Sequence, residues 1–414
     1  MDSKQAGKSV GTLVLVLVFF AWLIDFVDRL VISVALPFIG KTLHINAAEE
    51  GVILSVFFFA YAIMQIPGGY VVQRWGTKPV MSYSMGIWSV FTALTAVAGT
   101  FFTMIIVRIL FGVFEGIFPP ASGQAIGDHI EPEKRAKAFG IMLSSNTLGT
   151  AIAPLVAAPL IMAVGWQHAF FWVAGLGLVL MIIIIYLLPK KPTIQRTKEQ
   201  TTAQHSISFS QFLARPTAWK APLMLFGLDI VAWGITTWLP SYLLKVRHLS
   251  LISTGIEASL PFFAGTIAMV FGGWLFDRYF TTRQRAIIIP TQIICAIFLL
   301  LMFYTSSSTA FLIYEILAVF FMYLGYMAVL GIPVKFLPDE LVGPAYGLIN
   351  FGGQVAAFLS PLVIGLLISA TGGSYQLAFW WLVFGAILCA AMSLWTPQSP
   401  EKYKTDVFGT SISL

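Results

Sequence analysis

Two charged residues stand in the otherwise apolar stretch 107-VRILFGVFEGIFPPASG-123, and their spacing suggests a shared role. Arg108 and Glu115 are seven residues apart with Gly112 between them, so a helix would place all three on one face. Gly112 leaves room for the guanidinium to lie along the helix or for a neighbouring helix to approach. Arginine offers a permanent planar fork that suits a carboxylate, and a desolvated glutamate takes up protons near neutral pH. The stretch therefore predicts ion binding in apolar surroundings.

Further charges lie in apolar segments elsewhere. Asp25, Asp28 and Arg29 fall within 11–37, and Asp229 lies in 226-FGLDIVAWG-234. An ionised side chain at the centre of a bilayer costs roughly 3 kcal/mol, so it should face a cavity or a partner. A structural ion pair that locks the two segments together is one alternative, but buried pairs add little net stability. One polar network with both arginines and acids suits the movement of an organic anion together with protons.

The composition of the whole chain indicates a membrane protein, so these charges lie in segments that cross a membrane. The chain has 414 residues, 58% hydrophobic and 10% charged, whereas a soluble domain has roughly 25% charged residues. Runs such as 181-MIIIIYLL-188 lack the alternation of a transmembrane barrel. The sequence predicts an all-α membrane protein with twelve spans of about 20 residues. These spans are 11–37, 49–72, 78–98, 101–126, 136–163, 168–188, 221–244, 252–279, 285–306, 309–336, 341–369 and 375–396.

The basic residues indicate how the spans are oriented. Of the 24 Lys and Arg residues, 19 lie in the terminal segments and the loops on one side, and three lie in the opposite loops. The positive-inside rule then places both termini in the cytoplasm. We expect a multi-pass protein of the inner or plasma membrane. The net charge of +6 follows from this topology, so we expect no nucleic-acid partner.

The chain also repeats itself. Arg74 and Arg278 are 204 residues apart in similar loops, and 138-AFG-140 and 169-AFFW-172 recur as 345-AYG-347 and 378-AFWW-381. We therefore expect two pseudo-symmetric six-helix bundles, 1–188 and 221–414, joined by the polar cytoplasmic linker 189–220. Parallel repeats with a binding site near the midplane are typical of major facilitator transporters.

Other classes of function find little support. Cys295 and Cys389 are isolated in predicted spans, and no cluster of His, Cys, Asp and Glu has metal-ligand spacing. We therefore expect no metal and no cofactor. We also expect no enzymatic activity, because no nucleophile with a neighbouring base is apparent. A sensor would need an output domain, and residues 397–414 are too few. Export of drugs is the first alternative, although Arg29 and Arg108 would repel cations.

Several of these residues carry a family resemblance. The run 59-FAYAIMQIPGGYVVQRWG-76, the pair Asp28–Arg29, and Arg108 with Glu115 before Phe118–Pro119 resemble the anion:cation symporters. This branch of the major facilitator superfamily includes sugar-acid, hexuronate and phthalate permeases and sialin-like carriers. The resemblance covers almost the whole chain. It implies proton-coupled symport of a small organic anion, most simply a hexonate or hexuronate, with an aromatic or short carboxylate as an alternative.

The resemblance also implies roles for single positions. Asp28 and Glu115 match the proton-coupling acids, Arg29 matches the arginine that engages the substrate carboxylate, and Arg108 matches an arginine that tunes the glutamate beside it. Tyr61, Asn146 and Asn350 match substrate-binding positions, although a helix–helix hydrogen bond is an equal alternative for each. Asp229 has no counterpart in the family pattern. It could pair with Arg29 or Arg108, or it could titrate by itself.

The chain departs from the family pattern at two positions. In the first predicted conformational latch, Gln73 replaces the usual acid, so only Arg74 of the charged pair remains. The second latch keeps both charged residues, Asp277 and Arg278. Phe26 stands where sugar-acid members often have tyrosine, which favours a substrate with fewer hydroxyl groups. We expect the protein to act as a monomer in contact with membrane lipid.

Overall fold

The structure is a computed structural model of the chain, and it describes residues 3–190, 209–337, 339–399, 402–403 and 405–406. The described part is almost entirely helical, which confirms the all-α prediction. Its helices are α1 (Ser3–Leu43), α2 (Ala47–Trp75), α3 (Thr77–Val97), α4 (Phe101–Glu115), α5 (Phe118–His129), α6 (Pro132–Leu187), α7 (Phe209–Leu213), α8 (Pro216–Lys245), α9 (Leu251–Glu257), α10 (Leu260–Leu275), α11 (Gln284–Tyr304), α12 (Ser308–Phe336), α13 (Asp339–Ala370) and α14 (Gln376–Trp395).

Eleven segments of the described chain are long and apolar enough to cross a membrane. The longest, α6, has 56 residues and is interrupted at Gly165, where φ is 81° and ψ is 161°. Glycine adopts a positive φ without the steric cost that a Cβ would bring. The interruption lies between predicted spans 136–163 and 168–188, so α6 accounts for two of the twelve predicted spans.

Two further predicted spans are divided within their length. Span 101–126 consists of α4 and α5, and the break comes at Gly116, directly after Glu115. Pro119 and Pro120 follow in the first turn of α5, where proline needs no backbone hydrogen bond. Span 252–279 consists of α9 and α10 and ends in a π-helical turn over Phe276–Phe280. The helix break at Gly116 therefore lies next to a charged residue of the candidate site.

Large apolar side chains cover much of the outer surface of these helices. Ile66, Tyr70, Tyr186 and Val270 are all largely exposed. A soluble protein rarely leaves so much apolar surface in contact with water, whereas lipid accepts it. The exposed apolar side chains and the long helices together describe a multi-pass membrane protein.

The helices form two compact units, each with its own packing. Unit 1 contains the described residues before 191 together with Pro240–Ser259, and in it α1 and α3 pack against α6 while α2 packs against α4. Unit 2 contains residues 209–239 and those from Leu260 onward, and in it α12 packs against α10 and α11. Residues 191–208 of the predicted linker lie outside the described part. The segment Pro240–Ser259 belongs to unit 1, and the predicted division into bundles 1–188 and 221–414 stays a prediction.

Candidate functional site

Five charged side chains of α1 and α4 are buried inside unit 1. Asp25, Asp28 and Arg29 lie on α1, and Arg108 and Glu115 lie on α4. None of the five is more than 5% exposed. Since ionised groups lose their hydration on burial, each must find compensation from its neighbours. The positions and partners of these groups therefore define the candidate site.

Arg29 lies at the centre of the cluster and bridges two acids. Its Nη2 donates to Asp25 Oδ2 at 2.9 Å, and its Nε donates to Glu115 Oε1 at 2.8 Å. Nη2 also donates to the same Glu115 oxygen. The remaining oxygens, Asp25 Oδ1 and Glu115 Oε2, are buried without a hydrogen-bond partner among the described residues. A buried carboxylate oxygen without a donor is costly when ionised, so these two oxygens are places where a proton can bind.

Aromatic rings enclose the same guanidinium. The Cζ atom of Arg29 is 4.6 Å from the ring centroids of Phe26 and Tyr61 and 5.3 Å from that of Phe57. At these distances a ring attracts the guanidinium through its negative face. Two of the rings come from α2, so three helices converge on Arg29. The rings also exclude water, which strengthens the charge–charge interactions inside.

Asp28 and Arg108 are held by threonines of α3. The hydroxyl of Thr92 is 2.9 Å from Asp28 Oδ1 and 2.7 Å from Oδ2, and Arg108 Nη2 donates to Thr95 Oγ1 at 2.6 Å. Arg108 also lies 4.7 Å from the ring centroid of Phe111. Sequence reasoning did not select the two threonines. Their spacing of three residues within the apolar segment 78–98 is the signal that could have found them.

Glycine allows α2 and α4 to approach each other closely beside Glu115. A Cβ at Gly112 would lie 2.5 Å from the carbonyl oxygen of Phe57, and one at Gly116 would lie 2.5 Å from that of Tyr61. Such pairs of small residues four positions apart let membrane helices pack with their backbones nearly in contact. This contact brings α2 and its rings close to Glu115 on α4.

The ion pairing differs from the expectation that Arg108 lies beside Glu115. The ion-pair partner of Glu115 is Arg29, whereas Arg108 reaches Thr95. Seven residues along a helix correspond to a rise of about 10 Å, which separates Arg108 from Glu115 although they share a face. An adjacent helix supplies the closer cation. Arg108 still interacts electrostatically with Asp28 and Glu115 over longer distances.

The predicted polar positions are distributed over both units. In unit 1, Tyr61 lies against Arg29, and Asn146 on α6 is half-buried with an Oδ1 that has no partner in the described part of the chain. In unit 2, Asn350 on α13 is half-buried. Asp229 on α8 accepts a hydrogen bond from the hydroxyl of Tyr326 at 3.2 Å.

The residues predicted to form the latches lie at the surface. Arg74 and Gln73 are exposed near the end of α2. Asp277 and Arg278 are exposed in the π-helical turn after α10, where Arg278 Nε donates to Tyr279 at 3.1 Å. Neither latch is tested by these contacts. Among the described residues, no three His, Cys, Asp or Glu side chains are placed to hold a metal ion, and Cys295 and Cys389 are buried free thiols.

Comparisons with known proteins agree on the kind of protein. Residues 17–361 match the Major Facilitator Superfamily. The chain is 27% identical to a hexuronate transporter of Bacillus subtilis, over 90% of this chain and 92% of that one. It is 28% identical to a probable galactarate/D-glucarate transporter of Escherichia coli, over 89% and 90%, and 29% identical to a probable sulfoacetate transporter of Cupriavidus necator, over 89% of each.

Solved structures share the fold. A bacterial homologue of the human lysosomal transporter Spinster superposes with a TM-score of 0.79 at 19% identity, covering 93% of this chain and 97% of that chain. A D-xylose–proton symporter gives a TM-score of 0.77 at 13% identity, covering 94% and 98%. At these identities the likeness concerns the fold alone. It confirms the predicted major facilitator architecture.

Proposed function

The chain belongs to the Major Facilitator Superfamily, and on that premise we propose that it carries a small organic anion inward together with protons by alternating access. The protein is a membrane transporter and not an enzyme, as its family and relatives show. We further propose that it is a monomer in the plasma membrane and that both of its termini lie in the cytoplasm. The observation that supports this proposal is that the buried guanidinium of Arg29 donates hydrogen bonds to two carboxylates of the protein, Asp25 and Glu115.

Arg29 is the group that would bind the anion. Its planar fork can donate two hydrogen bonds to a carboxylate, and in this structure its N–H groups donate to Asp25 and Glu115. An incoming carboxylate must therefore compete with the internal ones. Protonation of Glu115 weakens its hold on Arg29, so a bound proton and a bound anion favour each other. This reciprocity is the thermodynamic basis of coupling.

The charge balance of the site leads to the same conclusion. Asp25, Asp28 and Glu115 oppose Arg29 and Arg108, which gives three negative and two positive formal charges and leaves −1. A substrate carboxylate brings the sum to −2 in surroundings that exclude water. An unbalanced buried charge is costly, so protons should enter with the anion. Asp28, which its neighbour Thr92 holds through both oxygens, and Glu115 are the acids we assign to this task.

The proposed substrate is a sugar acid such as a hexonate or hexuronate, because several relatives carry names of that class. Tyr61, Asn146 and Asn350 are the polar side chains that we assign to its hydroxyl groups. The name of one relative specifies sulfoacetate, which has no hydroxyl group. Phe26 packs against Arg29 where a tyrosine would add a donor, so a short carboxylate or sulfonate is the second candidate.

A thermal-shift panel tests this proposal directly. Purified protein is heated with hexonates, hexuronates, aromatic acids, short monocarboxylates and sulfoacetate, because a ligand of the folded state raises the melting temperature. Cationic drugs serve as the comparison set. The proposal expects at least one anion to stabilise the protein, and more strongly at pH 6 than at pH 8. Stabilisation by cations alone, or by an anion equally at both pH values, contradicts it.

A further inference from the structure

Asp229 is a buried acid of unit 2 that the mechanism above does not use. It lies 13 residues after the start of α8 and 16 before its end, which corresponds to about 20 Å from either end of the helix. Since the hydrocarbon core is about 30 Å thick, Asp229 lies near the middle of the membrane. Its side chain is only 7% exposed.

The described residues of unit 2 supply Asp229 with one hydrogen bond, from Tyr326, and with no cationic partner. The titratable groups that face it are the phenols of Tyr323 and Tyr326 on α12, and Tyr346 of α13 lies next to Tyr326. Gly353 of α13 lies close to Asp229, because a Cβ there would be 2.4 Å from Asp229 Oδ2. No Lys or Arg whose side chain is described in unit 2 forms an ion pair with Asp229.

We propose that Asp229 binds a proton of its own, as a second proton site that adds one proton to those carried with each anion. An ionised carboxylate at mid-membrane depth with one phenol as donor lacks compensation, and a proton removes the charge. Ca²⁺ and Mg²⁺ take about six or more oxygen ligands at close range, and here only a carboxylate and phenols face the position. This inference rests on the proposed proton coupling.

The number of protons can be measured as a slope. In proteoliposomes with the membrane potential held at zero, the logarithm of the accumulation ratio of the anion rises with the pH difference, and the slope is the number of coupled protons. We expect the slope for Asp229→Asn to be lower than that of the parent by about one. Glu315→Gln removes another buried acid of unit 2 and should leave the slope unchanged.

The outcomes separate this inference from the proposed function. A parent slope of zero contradicts proton coupling itself. A parent slope above zero that Asp229→Asn does not lower overturns the second proton site alone. Accumulation that a sodium gradient drives at equal pH, and that Asp229→Asn abolishes, would instead assign the site to a metal cation.

A labelling experiment does not depend on transport by the variant. A hydrophobic carbodiimide reacts with protonated carboxyl groups in apolar surroundings, and mass spectrometry locates the adduct. In the parent protein we expect the labelled fraction of Asp229 to fall as the pH rises from 5 to 9. An absent adduct, or a labelled fraction that does not change with pH, contradicts the proposal.

Discussion

Arg29 connects two carboxylates and three aromatic rings through one guanidinium. Lysine at this position would also balance the charge of the carboxylates, but only arginine offers several hydrogen-bond donors in a fixed plane. The account therefore gives Arg29 two roles. It keeps Asp25 and Glu115 compensated when the site is empty, and it binds the anion when one of these acids is protonated.

Substitution of Arg29 tests the second role. Arg29→Lys keeps the charge but loses the planar fork, and a lost charged hydrogen bond costs about 1.5–3 kcal/mol. We expect the affinity for the anion to fall tenfold to a hundredfold, with Arg29→Ala weaker still, as measured by calorimetry. The melting temperature without ligand serves as the control for folding. Parent-like affinity in Arg29→Ala would contradict the assignment.

At the scale of helices, the sequence predicted most of the fold because the apolar segments are long and separated by polar ones. It did not predict that Glu115 pairs with Arg29. Periodicity along one helix shows which residues share a face, but a contact across helices depends on their distance and rotation. Gly112 indicated a close approach, and the neighbour proved to be α2 rather than the guanidinium of Arg108.

The contact between α2 and α4 should be sensitive to a single methyl group. Gly112→Ala places a Cβ 2.5 Å from the carbonyl oxygen of Phe57, so the helices must separate. We expect a lower melting temperature and weaker anion binding in a thermal-shift assay. Gly69→Ala is the matched control, because a Cβ there meets nothing within 4 Å. Equal melting temperatures for the two variants would show that the close contact is unimportant.

An ion pair fastens the segment Pro240–Ser259 within unit 1. Lys245 Nζ lies 2.9 Å from Glu50 Oε1 and 3.1 Å from Oε2, and Glu50 is 2% exposed. The segment also includes α9, in which a Cβ at Gly255 would lie 2.6 Å from that of Ala158 on α6. Because loss of one partner leaves the other charge buried and uncompensated, the pair should control how firmly α9 packs.

Reaction with a membrane-impermeant maleimide measures this packing. Thr254 is fully buried, so Thr254→Cys should react slowly. We expect its labelling rate to increase several-fold when Lys245→Met is added. Ile256→Cys is the control, since Ile256 lies on the same helix, is 46% exposed and should react in both backgrounds. An unchanged rate for Thr254→Cys would mean that the ion pair does not hold the segment.

At the scale of the whole molecule, the distribution of basic residues makes a prediction about orientation. Both termini and the loop around Thr201, which lies outside the described residues, should face the cytoplasm. Protease should cleave this loop in inverted membrane vesicles and leave it intact in right-side-out cells. Cleavage from the outside of intact cells would reverse the assigned topology.

The central claim is that proton binding at Glu115 is coupled to movement of an anion bound by Arg29. Glu115→Gln imitates the protonated acid permanently, so Arg29 should stay available to substrate while no proton can leave on the inside. Uptake into proteoliposomes with an imposed pH gradient, measured beside counterflow without a gradient, is the decisive test. Glu133→Gln, a change of an exposed acid, should behave like the parent. For Glu115→Gln we predict counterflow with a smaller accumulation than that of the parent, whereas accumulation equal to that of the parent would contradict the account.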